Sequence, residues 1–228
     1  QESMKKIFKY IFAGMAAMSV VACSEDALET SPSSSVSGNE LLGTATNALV
    51  SLNGVYRAMY TAGVSNSSNT HQCFGITAYN LVADVMGEDC IMNGQGSGWF
   101  WYDCVYNVKS RYTSTGWRSY DMWNGYYTWI SNVNYILAEE ETMSGSETEK
   151  NYVLGQAYAV RAYSYFMLAQ MFSRTYKGHE SEPCVPLYTE PTDIATEGKG
   201  RATIEEVYQQ ITSDLDKAIT MLGNSGKR

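Results

Sequence analysis

Between Ser146 and Tyr176 apolar side chains recur at steps of three and four in two adjacent rows. One row runs through Val153, Ala157, Val160, Ser164, Met167 and Met171, and the other through Leu154, Tyr158, Arg161, Tyr165, Leu168 and Phe172. That period predicts a long helix, and two rows predict burial against more than one neighbour. Ser146 and Glu149 have the spacing of a capping box, so the helix starts there. Arg161 lies inside the apolar surface, where a charge is tolerated only when its head is paired or reaches a carboxylate or a run of carbonyls, which predicts a structural role.

The same period recurs elsewhere. Ala45, Leu49, Leu52, Tyr56 and Met59 predict a helix opened by a second capping box at Ser37 and Glu40 and ended near Gly63. Ala78, Leu81, Val82 and Val85 predict a shorter one over residues 74–86, followed by the acidic stretch Gly87-Glu88-Asp89, which reads as a solvated turn ahead of the alternative that Glu88 and Asp89 ligate calcium. Tyr120, Trp123, Tyr127, Ile130, Asn134 and Leu137 predict a third long helix whose aromatic stripe reads as core. Thr203 and Glu206 form a third capping box ahead of a final helix. The chain therefore reads as all-α.

One stretch resists the pattern. Asn93-Gly94-Gln95-Gly96-Ser97-Gly98 is too flexible for a helix or strand, and Trp99-Phe100-Trp101-Tyr102 follows at once. Such rings either plug the core beneath a loop or are displayed where a flat ligand can stack. Trp99, Trp101 and Tyr102 are the candidate ligand-binding residues.

The N-terminus carries an address. Lys5, Lys6 and Lys9 precede an apolar run of 11 residues, Ile11 to Val21, too short to span a bilayer but suited to a secretory signal. Val20-Val21-Ala22-Cys23 is similar to the bacterial lipobox, which predicts removal of residues 1–22, of which 1–3 precede the natural-looking start at Met4, and acylation of Cys23. Residues 23–36, rich in serine, read as a flexible tether, leaving 37–228 as the folded domain.

Two motifs carry a family resemblance. Gly155-Gln156-Ala157-x-x-Val160-Arg161-Ala162-x-x-Tyr165-x-x-Leu168 resembles the G-E-A-x-x-L-R-A-x-x-Y-x-x-L core helix of the SusD/RagB family of outer-membrane nutrient-binding lipoproteins, with Gln156 in place of the usual acid. Arg201-x-Thr203-Ile204-x-Glu206-Val207-Tyr208-x-x-Ile211-x-x-Asp214-Leu215-x-x-Ala218 resembles a second family element, and Pro183-Cys184-Val185-Pro186-Leu187 resembles the family's V-P-L strand. The resemblance implies a tetratricopeptide-like helical-repeat scaffold with long irregular loops, in which Arg161, Tyr165 and Leu168 are structural. It also implies a chain truncated relative to family members roughly twice as long, more than a typical single domain. In function it implies a surface-exposed, lipid-anchored protein of the cell outer membrane. Such a protein binds a nutrient glycan and acts as a lid on a TonB-dependent transporter of the SusC kind. A peptide-binding relative and a helical-repeat interaction scaffold are the alternatives, ahead of a surface glycoside hydrolase.

Composition narrows the chemistry. Sixteen basic against 24 acidic residues give a net charge of −8, which argues against nucleic acid as a partner. Cys73, Cys90, Cys104 and Cys184 lack a C-x-x-C spacing and His71 and His179 are far apart, so neither a zinc site nor a Cys-His nucleophile is indicated, and no disulfide pairing can be chosen. The carboxylates Asp84, Glu88, Asp89 and Asp103 surround the aromatic stretch, but their spacing alone does not make a hydrolase. No P-loop, dinucleotide fingerprint or nucleophile elbow is present. The chain reads as a binder without cofactor or catalytic residue.

Overall fold

A computed structural model describes residues 42–63, 70–106 and 116–227. Cys23, the tether and the Ser37–Glu40 capping box lie outside the described residues. The described residues form six helices: α1 (Ala45–Ala58), α2 (Ile76–Met86), α3 (Trp101–Cys104), α4 (Trp117–Ala138), α5 (Glu147–Phe172) and α6 (Ile204–Asn224). None is long and apolar enough to cross a membrane.

The helix α5 is the axis of the fold, flanked by α4 on one side and α6 on the other, while α1 leans on both α4 and α5. The short turn from Glu139 to Ser146 folds α4 and α5 into an antiparallel pair, the unit of a tetratricopeptide-like scaffold. Ser146 caps α5 and Thr203 caps α6 with both arms of the box closed: each hydroxyl accepts the third-residue N–H, and Glu149 and Glu206 reach back to the cap. The described helix α1 begins only at Ala45, where Thr44 Oγ1 accepts the Asn47 N–H at 3.1 Å. The helix α5 ends at Phe172, four residues before the predicted end, because Ser173 is extended and its hydroxyl returns to the Ala169 carbonyl at 2.7 Å.

Both predicted rows of α5 turn inward, with Val153, Ala157, Ser164, Tyr165 and Leu168 almost fully buried. Gly155 lies close against α6, where a Cβ would stand 2.9 Å from Leu222 Cγ. Gln156, in place of an acid, accepts the Tyr56 hydroxyl at 3.0 Å and donates to the Tyr152 carbonyl at 2.9 Å, joining α1 to α5 without a buried charge.

Arg161 is buried, and its guanidinium forks onto Asp214 of α6 at 2.8 and 2.7 Å, a bidentate pair. Its remaining nitrogen donates to Asn134 Oδ1 of α4 at 2.8 Å and to the Thr189 carbonyl at 3.0 Å. Asn134 passes the network to the carbonyls of Tyr188 and Glu190, and the Tyr165 hydroxyl donates to the Tyr188 carbonyl and accepts its N–H. One cation thus ties α4, α5, α6 and the long 173–203 connection together. In that connection residues 182–185 pair with 202–204 through a few backbone bonds and an isolated bridge between Pro183 and Thr203. This is shorter than the strand the family pattern implies: among the described residues no strand forms.

The α4 stripe also needs correcting. Its second half, Ile130, Asn134 and Leu137, is buried as expected, but Tyr120 is exposed and Trp123 and Tyr127 are half-buried, because in the first half of the helix the face turned to the core carries Met122 and Tyr126, with Trp129 and Val133 continuing it.

Candidate functional site

The aromatic stretch after the glycine run is a turn that sends Phe100 into the core and leaves Trp99 and Tyr102 exposed. Gly96 and Gly98 take positive φ (52° and 85°), and Phe100 follows with φ 56°, a left-handed conformation unusual for a bulky side chain. Trp101 then opens the single turn α3. Residues three apart share a face of such a turn, so Phe100 and Asp103 point inward together while Trp99 and Tyr102 point outward together. Trp99 is 48 % and Tyr102 53 % exposed, against 7 % for Phe100 and 3 % for Asp103. Trp101 is half-buried between the two faces. The Trp99 ring stacks on His71, with centroids 4.7 Å apart and planes inclined by 27°.

Arg118, at the start of α4, holds the turn from below. Its Nη2 donates to Asp103 Oδ2 at 3.2 Å and its Nη1 to the Gln72 carbonyl at 2.9 Å. Its head lies 5.1 Å from the Phe100 ring centroid and 4.1 Å from that of Trp117. Gln72 completes the clamp, since its Oε1 accepts the Phe100 N–H at 3.0 Å and so fixes the left-handed residue. Burial lowers the Arg118 pKa to about 10, still far above neutrality, so the guanidinium is charged. Burial, and then the neighbouring Asp121, push the Cys73 thiol up to about 12, which makes it an inert thiol beneath the turn.

Arg118 also borders a cavity of about 850 Å³ between α2, α4 and the end of α5, walled by Tyr79, Met86, Tyr120, Trp123 and Phe172. Its size falls in the range of ligand sites. The turn and the cavity thus share one buried cation.

The structure brings Trp99 and Tyr102 onto one exposed face and sets Trp101 beside them, whereas Arg161, Tyr165 and Leu168 lie in the helical core. The sequence reading overlooked Arg118. Its signal was available: Arg118, Met122, Tyr126, Trp129 and Val133 step by four and three, which puts the arginine on the apolar face. Of the carboxylates near the turn, Asp103 is occupied by Arg118, while Asp84, Glu88 and Asp89 are exposed at the end of α2. Cys73, Cys90, Cys104 and Cys184 are free thiols, and among the described residues no three His, Cys, Asp or Glu side chains gather as metal ligands would.

A SusD-like family profile, described as starch-binding associating with outer membrane, matches residues 58–227. The chain belongs to the SusD-like family. A SusD-like carbohydrate-binding protein from Bacteroides vulgatus is 27 % identical with a TM-score of 0.66, the match covering 82 % of this chain and 37 % of that one. A putative sugar-binding protein from the same species is 23 % identical (TM-score 0.60, covering 79 % and 38 %). A SusD superfamily protein from Bacteroides thetaiotaomicron is 22 % identical (TM-score 0.56, covering 78 % and 37 %). These last two likenesses concern the fold. The SusD-like chain therefore matches little more than a third of the length of these solved relatives. No curated protein matches it.

Proposed function

We propose that this chain belongs to a cell-surface lipoprotein that captures a nutrient glycan and delivers it, as a lid, to a TonB-dependent outer-membrane transporter of the SusC kind. The observation that carries the binding step is the pair of exposed rings, Trp99 and Tyr102, on a turn locked by the Arg118–Asp103 ion pair. Sugars offer apolar C–H faces that stack on aromatic rings, and rings fixed in advance bind with less loss of freedom. The family's description as starch-binding and outer-membrane-associated supports the same reading. Anchoring through an acylated Cys23 follows from the lipobox-like Val20-Val21-Ala22-Cys23, and delivery to a transporter follows from family membership. On this reading the site binds and breaks no bond, in keeping with an Asp103 carboxylate that is buried on Arg118 and turned away from the exposed rings.

Isothermal titration of the full-length protein against soluble oligosaccharides, starch fragments included, with an assay for reducing sugar in the same samples, tests this reading. Saturable binding with no release of sugar is the expected result. Release of sugar would replace binder by hydrolase, and binding of peptides alone would favour the peptide-binding alternative.

A further inference from the structure

A smaller cleft of about 320 Å³ opens on the other side of Trp123, between α4 and the 186–196 segment. Its walls are the rings of Trp123, Tyr127 and Tyr188, and its rim carries Ser131, Asp193 and Thr196. The Trp123 and Tyr127 rings are 4.9 Å apart and inclined by 44°, and Tyr188 stands edge-on to Tyr127 at 6.1 Å and 83°. Together they make an angled aromatic corner. The tyrosine hydroxyls are already engaged, Tyr127 donating to the Pro186 carbonyl at 2.7 Å and Tyr188 accepting the Lys199 N–H at 2.9 Å, so it is ring surface that the cleft presents. The far wall is rigid, because Asn134 and Tyr165 bond the Tyr188 backbone to α4 and α5.

The rim adds a fixed acceptor. Asp193 Oδ1 accepts the Ala195 N–H at 2.9 Å and the Thr196 hydroxyl at 3.0 Å, which orients the carboxylate and leaves Oδ2 for a ligand. An aromatic corner beside an oriented carboxylate and hydroxyls suits a molecule with apolar C–H faces and a girdle of hydroxyl donors. The volume is at the low end for ligand sites, enough for one ring. We propose that this cleft is a second sugar subsite, separate from the Trp99 turn, that takes one pyranose unit with its ring against Trp123 and a hydroxyl on Asp193. In taking sugar as the ligand class, the inference rests on the proposed glycan-binding function.

The test is a maltose titration of the full-length protein, followed by the indole N–H resonances of Trp99 and Trp123, each assigned by its Trp→Phe variant. The Trp123 resonance should move saturably. Asp193→Asn, whose side-chain oxygen can still accept from Ala195 and Thr196, should weaken the Trp123 titration about tenfold and leave the Trp99 titration unchanged, because hydrogen bonds to a charged acceptor are the stronger kind. If Trp99 moves and Trp123 does not, the subsite is wrong and glycan binding stands. If neither moves, maltose is bound at neither place and the pyranose subsite is overturned, while the glycan-binding reading is decided by the wider oligosaccharide titration. If Trp123 moves but Asp193→Asn changes nothing, the carboxylate is not a ligand and the proposed subsite is overturned.

Discussion

Arg161 and Asp214 belong to the two sequence stretches that resemble the family most closely, and the structure joins those stretches in one buried ion pair. The sequence showed that Arg161 needed a partner but not which, since Asp214 lies 53 residues away on another helix. Truncating one member strands the other in the core, at a cost of about 3–5 kcal/mol. Arg161→Ala is therefore expected to lower the melting temperature of the full-length protein sharply. An unchanged melting temperature with lost ligand binding would show that Arg161 serves the site and not the scaffold. Arg118 follows the same logic on a smaller scale. It is the second buried cation described, and what it holds in place is the aromatic turn and not a pair of helices.

Among the elements, α5 and α6 were the most legible because their signals are local: two closed capping boxes and an unbroken period. Hydrogen bonds from the Ser146 hydroxyl and backbone hold the Glu149 carboxyl below its ordinary range, and those from the Thr203 backbone and hydroxyl do the same for Glu206. A carboxyl lowered in the folded state contributes stability that is present above the ordinary carboxylate pKa, about 4.3 for Glu. That contribution is lost as pH falls through the folded value. Melting temperatures measured from neutral pH down through that window should therefore fall less steeply for Glu206→Gln than for the wild type; parallel profiles would contradict the assignment. Where α5 meets α6, Gly155→Ala sets propensity against packing. Alanine favours a helix by ~1 kcal/mol, yet its Cβ would meet Leu222 Cγ at 2.9 Å and Met221 Cβ at 3.1 Å. Overpacking of that kind typically costs about 1–3 kcal/mol, so a lower melting temperature is expected, and a higher one would mean that α6 yields freely. Only the second half of the predicted α4 stripe is core, for a related reason. Trp, Tyr and Ile occur all round that helix, so the periodic pattern fitted more than one face and only tertiary contact shows which is buried.

Over the whole molecule, the helical scaffold could be read from the chain, and the direction of the aromatic turn could not. Whether Trp99 faces in or out depends on a left-handed Phe100 and on a clamp from Gln72 and Arg118, contacts made across 28 and 15 residues that leave no periodic trace. Once formed, the clamp separates the roles of the rings: Phe100 supports, while Tyr102 and the part of Trp99 not stacked on His71 are exposed. The central claim is that these exposed rings bind sugar without holding up the fold. It is tested most directly by titrating Trp99→Ala and wild-type full-length protein with the tightest-binding soluble oligosaccharide, with thermal melts run on the same samples. Loss of a central stacked ring typically costs ~2 kcal/mol, so affinity should fall roughly thirtyfold while the melting temperature stays within a few degrees of the wild type. A large drop in melting temperature with affinity unchanged would contradict the account, because it would make Trp99 a support of the fold and not a surface for the ligand.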